Sequence, residues 1–300
     1  MAVIIDGKKL AQQVIERIQK HTQSLHKKTN LLPGLAVILI GKDPASQIYV
    51  QFKDKKAKEC GFYSVQYHLK EETTQEEVLE LIQKLNNDPK IHGILVQLPL
   101  PKHMNKIAIT QAIKPEKDVD GFTYTNAGRL AVGDMEKTFL PCTPAGIMLI
   151  LSKYIAKDLS HKNAIVIGRS NIVGKPIAQL LLQANATVTV AHSKTKNIEE
   201  LCQKADIVIA AVGKSELIRG SWIKENAIVI DVGINRIEKS EASQYQILGD
   251  VHFKEAVKKA GFITPVPGGI GPMTIAMLMA NTLKSACWQL DLPTPTFEDL

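Results

Sequence analysis

Short apolar runs alternate along the chain with segments whose apolar positions recur at helical spacing. "GLAVILIG" (34–41) is apolar almost throughout and suits a strand buried on both faces; "FYSVQYHL" (62–69) and "IHGILVQ" (91–97) are of strand length. Helices are expected at 7–27, after residue 41, and over "TTQEEVLELIQKLNN" (73–87), whose leading threonines and early glutamates suit a helix N-terminus. The segment "KPEKDVDGFTYTNAGRL" (114–130) has no clear period and is rich in turn formers. "CTPAGIMLILSKY" (142–154) reads as a helix with Thr143 as cap and Pro144 in its first turn. A second series follows: strands "NAIVIG" (163–168), "ATVTVA" (186–191), "ADIVIAAVG" (205–213) and "AIVIDVGIN" (227–235), with a helix at 174–184 and a shorter one after 191. A last helix spans about 273–290. Such alternation predicts an α/β protein with parallel sheets covered by helices. A domain boundary is expected near residue 141.

The helix after the first strand carries "IYVQFKDKKAKE" (48–59). Projected at about 100° per residue, Ala45, Ile48, Tyr49, Phe52, Ala57 and Cys60 form an apolar stripe with Val50 at its margin. Asp54, Lys55 and Lys58 lie opposite, whereas Lys53 and Lys56 fall within the stripe. A lysine so placed either snorkels its ammonium to water or serves as a chemical group. Periodicity alone leaves both readings open.

Composition narrows the classes. Three hundred residues with 45% apolar and 22% charged positions describe a globular chain with room for two domains. The net charge of +7 suits anionic partners, but it is spread along the chain and aromatics reach only 5%. That gives no support to a nucleic-acid surface; phosphorylated or carboxylated small molecules fit the charge equally well. Cys60, Cys142, Cys202 and Cys287 are far apart, which argues against a metal site or a disulfide framework and for a reducing compartment. "MAVIIDGKKL" lacks a signal-peptide core, and no run reaches the ~20 apolar residues of a membrane span. A cytoplasmic location without membrane attachment is expected.

The clearest local motif is "AIVIGRSNIVGKP" (164–176): a buried strand, a glycine-containing turn, and a helix beginning near Gly174. This arrangement aims free N–H groups and the positive helix end at a phosphate. The usual dinucleotide fingerprint is G-x-G-x-x-G, and Ser170 stands where its second glycine would be. NAD-specific folds place an acid at the end of the next strand, about twenty residues on. Here "VTVAHSKT" supplies His192, Ser193, Lys194 and Thr195 instead, which with Arg169 favours the 2′-phosphate of NADP. "DVDG" (118–121) pairs two acids before a glycine, a pattern open to a metal, a turn cap, or the amino and N–H edge of an aromatic substrate. No G-x-S-x-G elbow, HExxH pair or Walker P-loop occurs, which removes several hydrolase and kinase classes.

In chain order, "SQIYVQFK" (46–53), "GILVQLPLP" (93–101), "KPEKDVDGF" (114–122), "PCTPAG" (141–146), "GRSNIVGKP" (168–176), "AHSKT" (191–195), "DVGIN" (231–235) and "TPVPGGIGPMT" (264–274) form a series over nearly the whole chain. Together they resemble the bifunctional methylenetetrahydrofolate dehydrogenase/methenyltetrahydrofolate cyclohydrolase family. The resemblance implies a folate-binding catalytic domain over 1–140 and a Rossmann-type NADP-binding domain over 141–272, with a cleft between them. It further implies that 273–300, the last helix and tail, returns to the catalytic domain. Tyr49 and Lys53 match the family's Y-x-x-x-K pair, in which the lysine moves protons and the tyrosine positions the folate. Gln97 matches the glutamine that hydrogen-bonds that lysine, with Val96 and Leu98 beside it at the substrate. Asp120 matches the carboxylate that anchors the pterin. Pro267, Gly268, Gly269, Ile270 and Gly271 match a loop bordering the folate, and Gly168, Arg169, Ser170, Ser193 and Ile234 match dinucleotide contacts.

The activity so implied is NADP-dependent oxidation of 5,10-methylenetetrahydrofolate to 5,10-methenyltetrahydrofolate, then hydrolysis to 10-formyltetrahydrofolate. This one-carbon chemistry feeds purine biosynthesis, and the family is typically homodimeric. Three rival readings remain at this level: a dehydrogenase with little cyclohydrolase activity, a silent NADP-binding regulator, and a nucleic-acid-binding protein. Loss of Lys53, Gln97 or Asp120 would mark the regulator, and all three are present.

Overall fold

The computed structural model describes residues 2–238 and 245–295. A short strand β1 (Val3–Ile4) leads into α1 (Gly7–Thr29), followed by β2 (Gly34–Ile40), α2 (Pro44–Glu59), β3 (Tyr63–Leu69), α3 (Gln75–Asn87), β4 (Gly93–Val96), α4 (Lys106–Gln111), α5 (Tyr124–Val132) and α6 (Cys142–Tyr154). Then come β5 (Asn163–Ile167), α7 (Gly174–Gln183), β6 (Thr187–Ala191), α8 (Ile198–Lys204), β7 (Ile207–Ala210) and β8 (Ile228–Asp231). The chain continues through β9 (Asn235–Glu238), β10 (Tyr245–Leu248), α9 (Phe253–Ala256), β11 (Phe262–Ile263) and α10 (Ile270–Gln289).

Local chemistry accounts for several of these limits. Asp43 accepts from the Ser46 amide to cap α2, and Pro44 occupies the first helical position. Thr74 and Glu77 form a reciprocal capping box at α3. Gly133, at φ 78°, ends α5 in the left-handed conformation that glycine adopts without penalty.

Two compact units result. One comprises Gln12–Cys142 and Ile275–Leu300. Its sheet is parallel, ordered β3-β2-β4, with the wholly buried β2 at its centre. Ile38 and Ile94 of this sheet pack with Val78 and Ile82 of α3 and with Ile109 of α4.

The other unit comprises Met1–Ala11 and Thr143–Thr274. Its six strands run parallel in the order β1-β11-β8-β7-β5-β6. Residues 2–11 belong here, rather than with the residues that follow them, because β1 extends the sheet beside β11. The core joins Ile165, Val208, Val229 and Ile263 from four neighbouring strands with Cys202 of α8.

The structure departs from the sequence reading in places. The strand expected over 227–235 stops at Asp231, and Asn235 opens an antiparallel pair with β10. The last helix starts at Ile270, earlier than expected, so Ile270 and Gly271 are helical and not part of a loop.

Candidate active site

Packing in α2 differs from the projected stripe. Ile48 and Phe52 are 41% and 54% exposed, while Ser46, Val50, Ala57 and Cys60 are buried. With Lys53 between Val50 and Ala57, these positions recur at alternating steps of four and three along the helix, so the lysine falls on the same line. The inward face of α2 therefore carries a lysine near its middle. Its neighbours do not share this placement: Lys56 pairs with Glu59 at 2.7 Å and Lys58 with Asp54 at 2.8 Å.

The Lys53 Nζ donates to Gln97 Oε1 at 2.9 Å. Gln97 directly follows β4, and its amide N–H extends the sheet pairing by donating to the Ile38 carbonyl. Its side-chain Nε2 donates to the Leu98 carbonyl at 2.7 Å, which turns the oxygen toward the lysine. Val96, the last residue of β4, is buried. Lys53 keeps part of its surface accessible, yet protein crowds its ammonium, and desolvation pulls its pKa below the ordinary lysine value. The carboxylate of Asp120 and the Cys142 thiol oppose that shift without reversing it.

Asp120 sits in a tightly held turn. Asp118 accepts from the Phe122 and Thr123 amides at 3.1 and 2.7 Å and from Asn126 Nδ2 at 2.9 Å. Gly121 has φ 70°, and a Cβ there would lie 2.5 Å from the Phe139 carbonyl. From α10, Asn281 Nδ2 donates to the carbonyls of Val119 and Leu140 at 2.8 and 3.0 Å. The Cys142 thiol donates to the Val119 carbonyl and lies 3.6 Å from Asp120 Oδ1. Burial raises the Asp120 pKa, with Lys53 acting against the rise and Asp118 adding to it. Burial likewise pushes the Cys142 thiol well up, so it stays protonated. Of the two acids in "DVDG", the first is spent on its own turn, and the second lies close enough to Lys53 for each to act on the other's charge. Among the described residues, no group of three or more His, Cys, Asp or Glu is arranged to hold a metal ion.

In the other unit, the carboxyl end of β5 forms the expected turn. Gly168 has φ 126°, and a Cβ there would lie 2.1 Å from the Ala211 carbonyl. A Cβ at Gly174, where α7 begins, would lie 2.3 Å from the Gly168 carbonyl. Ser170 Oγ accepts from the Val173 and Gly174 amides at 3.2 and 3.3 Å. The serine that broke the generic fingerprint is thus an acceptor for the amides that lead into α7. After β6, the His192 amide donates to Thr195 Oγ1 and the Lys194 amide to His192 Nδ1, which leaves Ser193 at an exposed tip. Arg169 is exposed as well. A close-packed glycine turn at a helix N-terminus, with cationic and hydroxyl groups after the second strand and no acid there, fits an NADP dinucleotide.

Ile234, 46% exposed, follows β8, and its Cδ1 lies 3.8 Å from where a Cβ on Gly271 would be. Pro267, Gly268 and Gly269 precede α10 in the same unit, where Lys8 donates its amide to the Gly268 carbonyl at 3.0 Å. Tyr49, half-buried, lies one turn before Lys53 on α2. Sequence reasoning gave no role to Cys142 or Asn281, whereas a turn cap was among the readings open to the acid pair that includes Asp118. Asp118 lay within a quoted motif, and Asn281 had no local signal at all.

The sequence model described as tetrahydrofolate dehydrogenase/cyclohydrolase, catalytic domain, matches residues 5–120, and that of the NAD(P)-binding domain matches residues 141–290. The bifunctional protein FolD of Brucella anthropi is 56% identical over 299 residues, covering 99% of this chain and 100% of the relative. The crystal structure of the bifunctional FolD methylenetetrahydrofolate dehydrogenase/cyclohydrolase from Campylobacter jejuni is 50% identical with a TM-score of 0.91, covering 96% of this chain and 100% of that one. A Trypanosoma brucei methylenetetrahydrofolate dehydrogenase-cyclohydrolase, solved in complex with NADP cofactor and inhibitor, is 39% identical with a TM-score of 0.93, covering 96% and 98%.

Proposed function

The chain belongs to the tetrahydrofolate dehydrogenase/cyclohydrolase family, and from that premise we propose that Lys53, held by Gln97, is the proton-transfer group of the cyclohydrolase step. The protein is a bifunctional enzyme that oxidises 5,10-methylenetetrahydrofolate with NADP and hydrolyses the resulting methenyl compound to 10-formyltetrahydrofolate. NADP, when bound, accepts the hydride at C4 of its nicotinamide.

Oxidation leaves a positive charge shared by N5 and N10 of the folate, so this step needs orientation more than acid–base help. Hydrolysis does need protons moved. Water attacks the bridging carbon and loses a proton; the C–N5 bond then breaks, N5 gains a proton, and the remaining hydroxyl proton leaves to solvent as the formyl C=O forms, a net release of one. A lysine whose pKa is lowered by burial exists in part as a free amine and can take the first proton and return the second. The 2.9 Å contact between Lys53 and Gln97 carries this reading, because it fixes the amine's position. Asp120, close enough to Lys53 to influence its charge, is suited to the amino and N–H edge of the pterin. Tyr49 packs on the folate, Val96 and Leu98 flank Gln97 at the substrate, and Pro267 to Gly271 border it. Gly168, Arg169, Ser170, Ser193 and Ile234 contact the dinucleotide. Residues 12–142 with 275–295 form the folate unit, and residues 2–11 with 143–274 form the NADP unit.

The retained Lys53, Gln97 and Asp120 support both activities in preference to dehydrogenase alone. A homodimer, a cytoplasmic location and a role in supplying formyl groups for purine biosynthesis complete the proposal. Among the described residues no helix is long and apolar enough to cross a membrane.

The test follows reduced cofactor and methenyl-folate absorbance together, with NADP or NAD, in the wild type and Lys53→Ala. NADP-dependent reduction by both, with methenyl-folate accumulating only in the variant, is expected. Wild-type ring opening by Lys53→Ala would remove the lysine from the mechanism.

A further inference from the structure

Asp250 has no part in the chemistry above, and it is completely buried. Its carboxylate accepts four hydrogen bonds. Oδ2 takes the amides of Val212 and Gly213 at 2.6 and 2.9 Å; Oδ1 takes the Lys214 amide and Asn235 Nδ2, both at 2.9 Å. Three consecutive backbone N–H groups converging on one anion form an anion-binding nest. Here the chain fills that nest with its own carboxylate.

The two segments so tied both lie at the dinucleotide end of the sheet. Residues 212–214 follow β7, directly after Ala211, whose carbonyl closes on Gly168 of the phosphate turn. Asn235 adjoins Ile234. In open parallel sheets this carboxyl-end region is where ligands bind. The approach is close enough that a Cβ on Gly233 would lie 2.3 Å from Asp250 Oδ1. The clamp is itself anchored: the Asp231 carboxylate accepts from the Asp250 and Val251 amides, each at 2.9 Å.

We propose that Asp250 is a positioning residue for the dehydrogenase step, fixing the loops after β7 and β8 in the conformation that receives the dinucleotide. The proposal rests on the NADP-dependent reading above. A carboxylate suits this role because it offers acceptors alone. An amide in its place would turn an NH2 group toward at least one of the N–H donors.

The test uses the full chain and two variants. Asp250→Asn is expected to raise the KM for NADP at least tenfold. Hydrolysis of added methenyltetrahydrofolate without dinucleotide should stay within about twofold of wild type, which shows that the folate unit is intact. Asn235→Ala, which deletes a single donor to Asp250, should raise the same KM about threefold and leave kcat nearly unchanged. Titration calorimetry with NADP reads the affinity directly, so an enzyme that bound NADP but failed to oxidise the folate would defeat the functional reading and still test the clamp. Equal loss of both activities in Asp250→Asn, or unaltered NADP affinity in Asn235→Ala, would overturn the proposal.

Discussion

Lys53 donates to the Gln97 side-chain oxygen at 2.9 Å across 44 residues of chain, and Gln97 can present only that oxygen because its amide nitrogen is engaged by Leu98. A neutral acceptor holds the lysine without favouring its charged form as strongly as a carboxylate would. Gln97→Glu should therefore raise the Lys53 pKa. We expect the acid limb of the cyclohydrolase pH–rate profile to move up by about one unit or more, and the rate at pH 7 to fall roughly tenfold. Hydride transfer should change by less than about threefold. An unshifted profile would show that Gln97 does not tune the lysine.

Burial of the Lys53 ammonium opposes folding, since its pKa is lower in the folded chain than in the unfolded one. The unfolded state then binds more protons, and stability rises as pH rises through the folded pKa. Lys53→Met should stabilise the protein by about 1 kcal/mol near neutrality. The gain should be larger at pH 6 than at pH 9, as urea unfolding at the two values would reveal. Destabilisation at both would mean that the lysine's contacts outweigh its desolvation.

Gly168→Ala places a side chain at φ 126° and drives its Cβ toward the Ala211 carbonyl. Strain of this kind costs about 1–3 kcal/mol. Chemical unfolding should register that loss, and NADP affinity should weaken with it while methenyl-folate hydrolysis persists.

Burial raises the Asp231 carboxyl to about 6 despite three backbone N–H donors, with Asp250 adding to the rise. Between about pH 4 and pH 6 the folded chain holds a proton here that the unfolded chain has released. This group's contribution to stability accordingly falls as pH rises through that window and is flat above it. The difference in unfolding free energy between wild type and Asp231→Asn should change by roughly 2 kcal/mol across the window. A constant difference from pH 3.5 to pH 7 would contradict the assignment.

How far the sequence reveals the fold depends on whether the signal is local. The buried strands β2, β5 and β7 announce themselves as apolar runs, and Thr74 with Glu77 marks the start of α3. The wheel of α2 misleads for a physical reason: Ile48 and Phe52 are apolar but exposed, whereas the buried face includes the polar Ser46. Hydrophobicity cannot separate the two kinds of position, and the resemblance to a known family was needed to single out Lys53. The antiparallel pairing of β9 with β10 is not legible because β9 continues a stretch that already reads as strand. Asp250 and Asn281 act through partners as far as 38 and 162 residues away, and nothing in their neighbours' identities encodes that reach.

The hold of Asn281 on the Val119 and Leu140 carbonyls has a consequence for how the enzyme is made. Chains leave the ribosome amino end first. The turn that carries Asp120 emerges early, and the amide that fixes it emerges only with α10. Between them, the strands β5 to β11 have time to pair with one another. A nascent chain halted before Asn281 therefore holds the lysine, the glutamine and the carboxylate without the donor that steadies their turn. Vectorial synthesis thus delays the completed folate unit until the final helix is released.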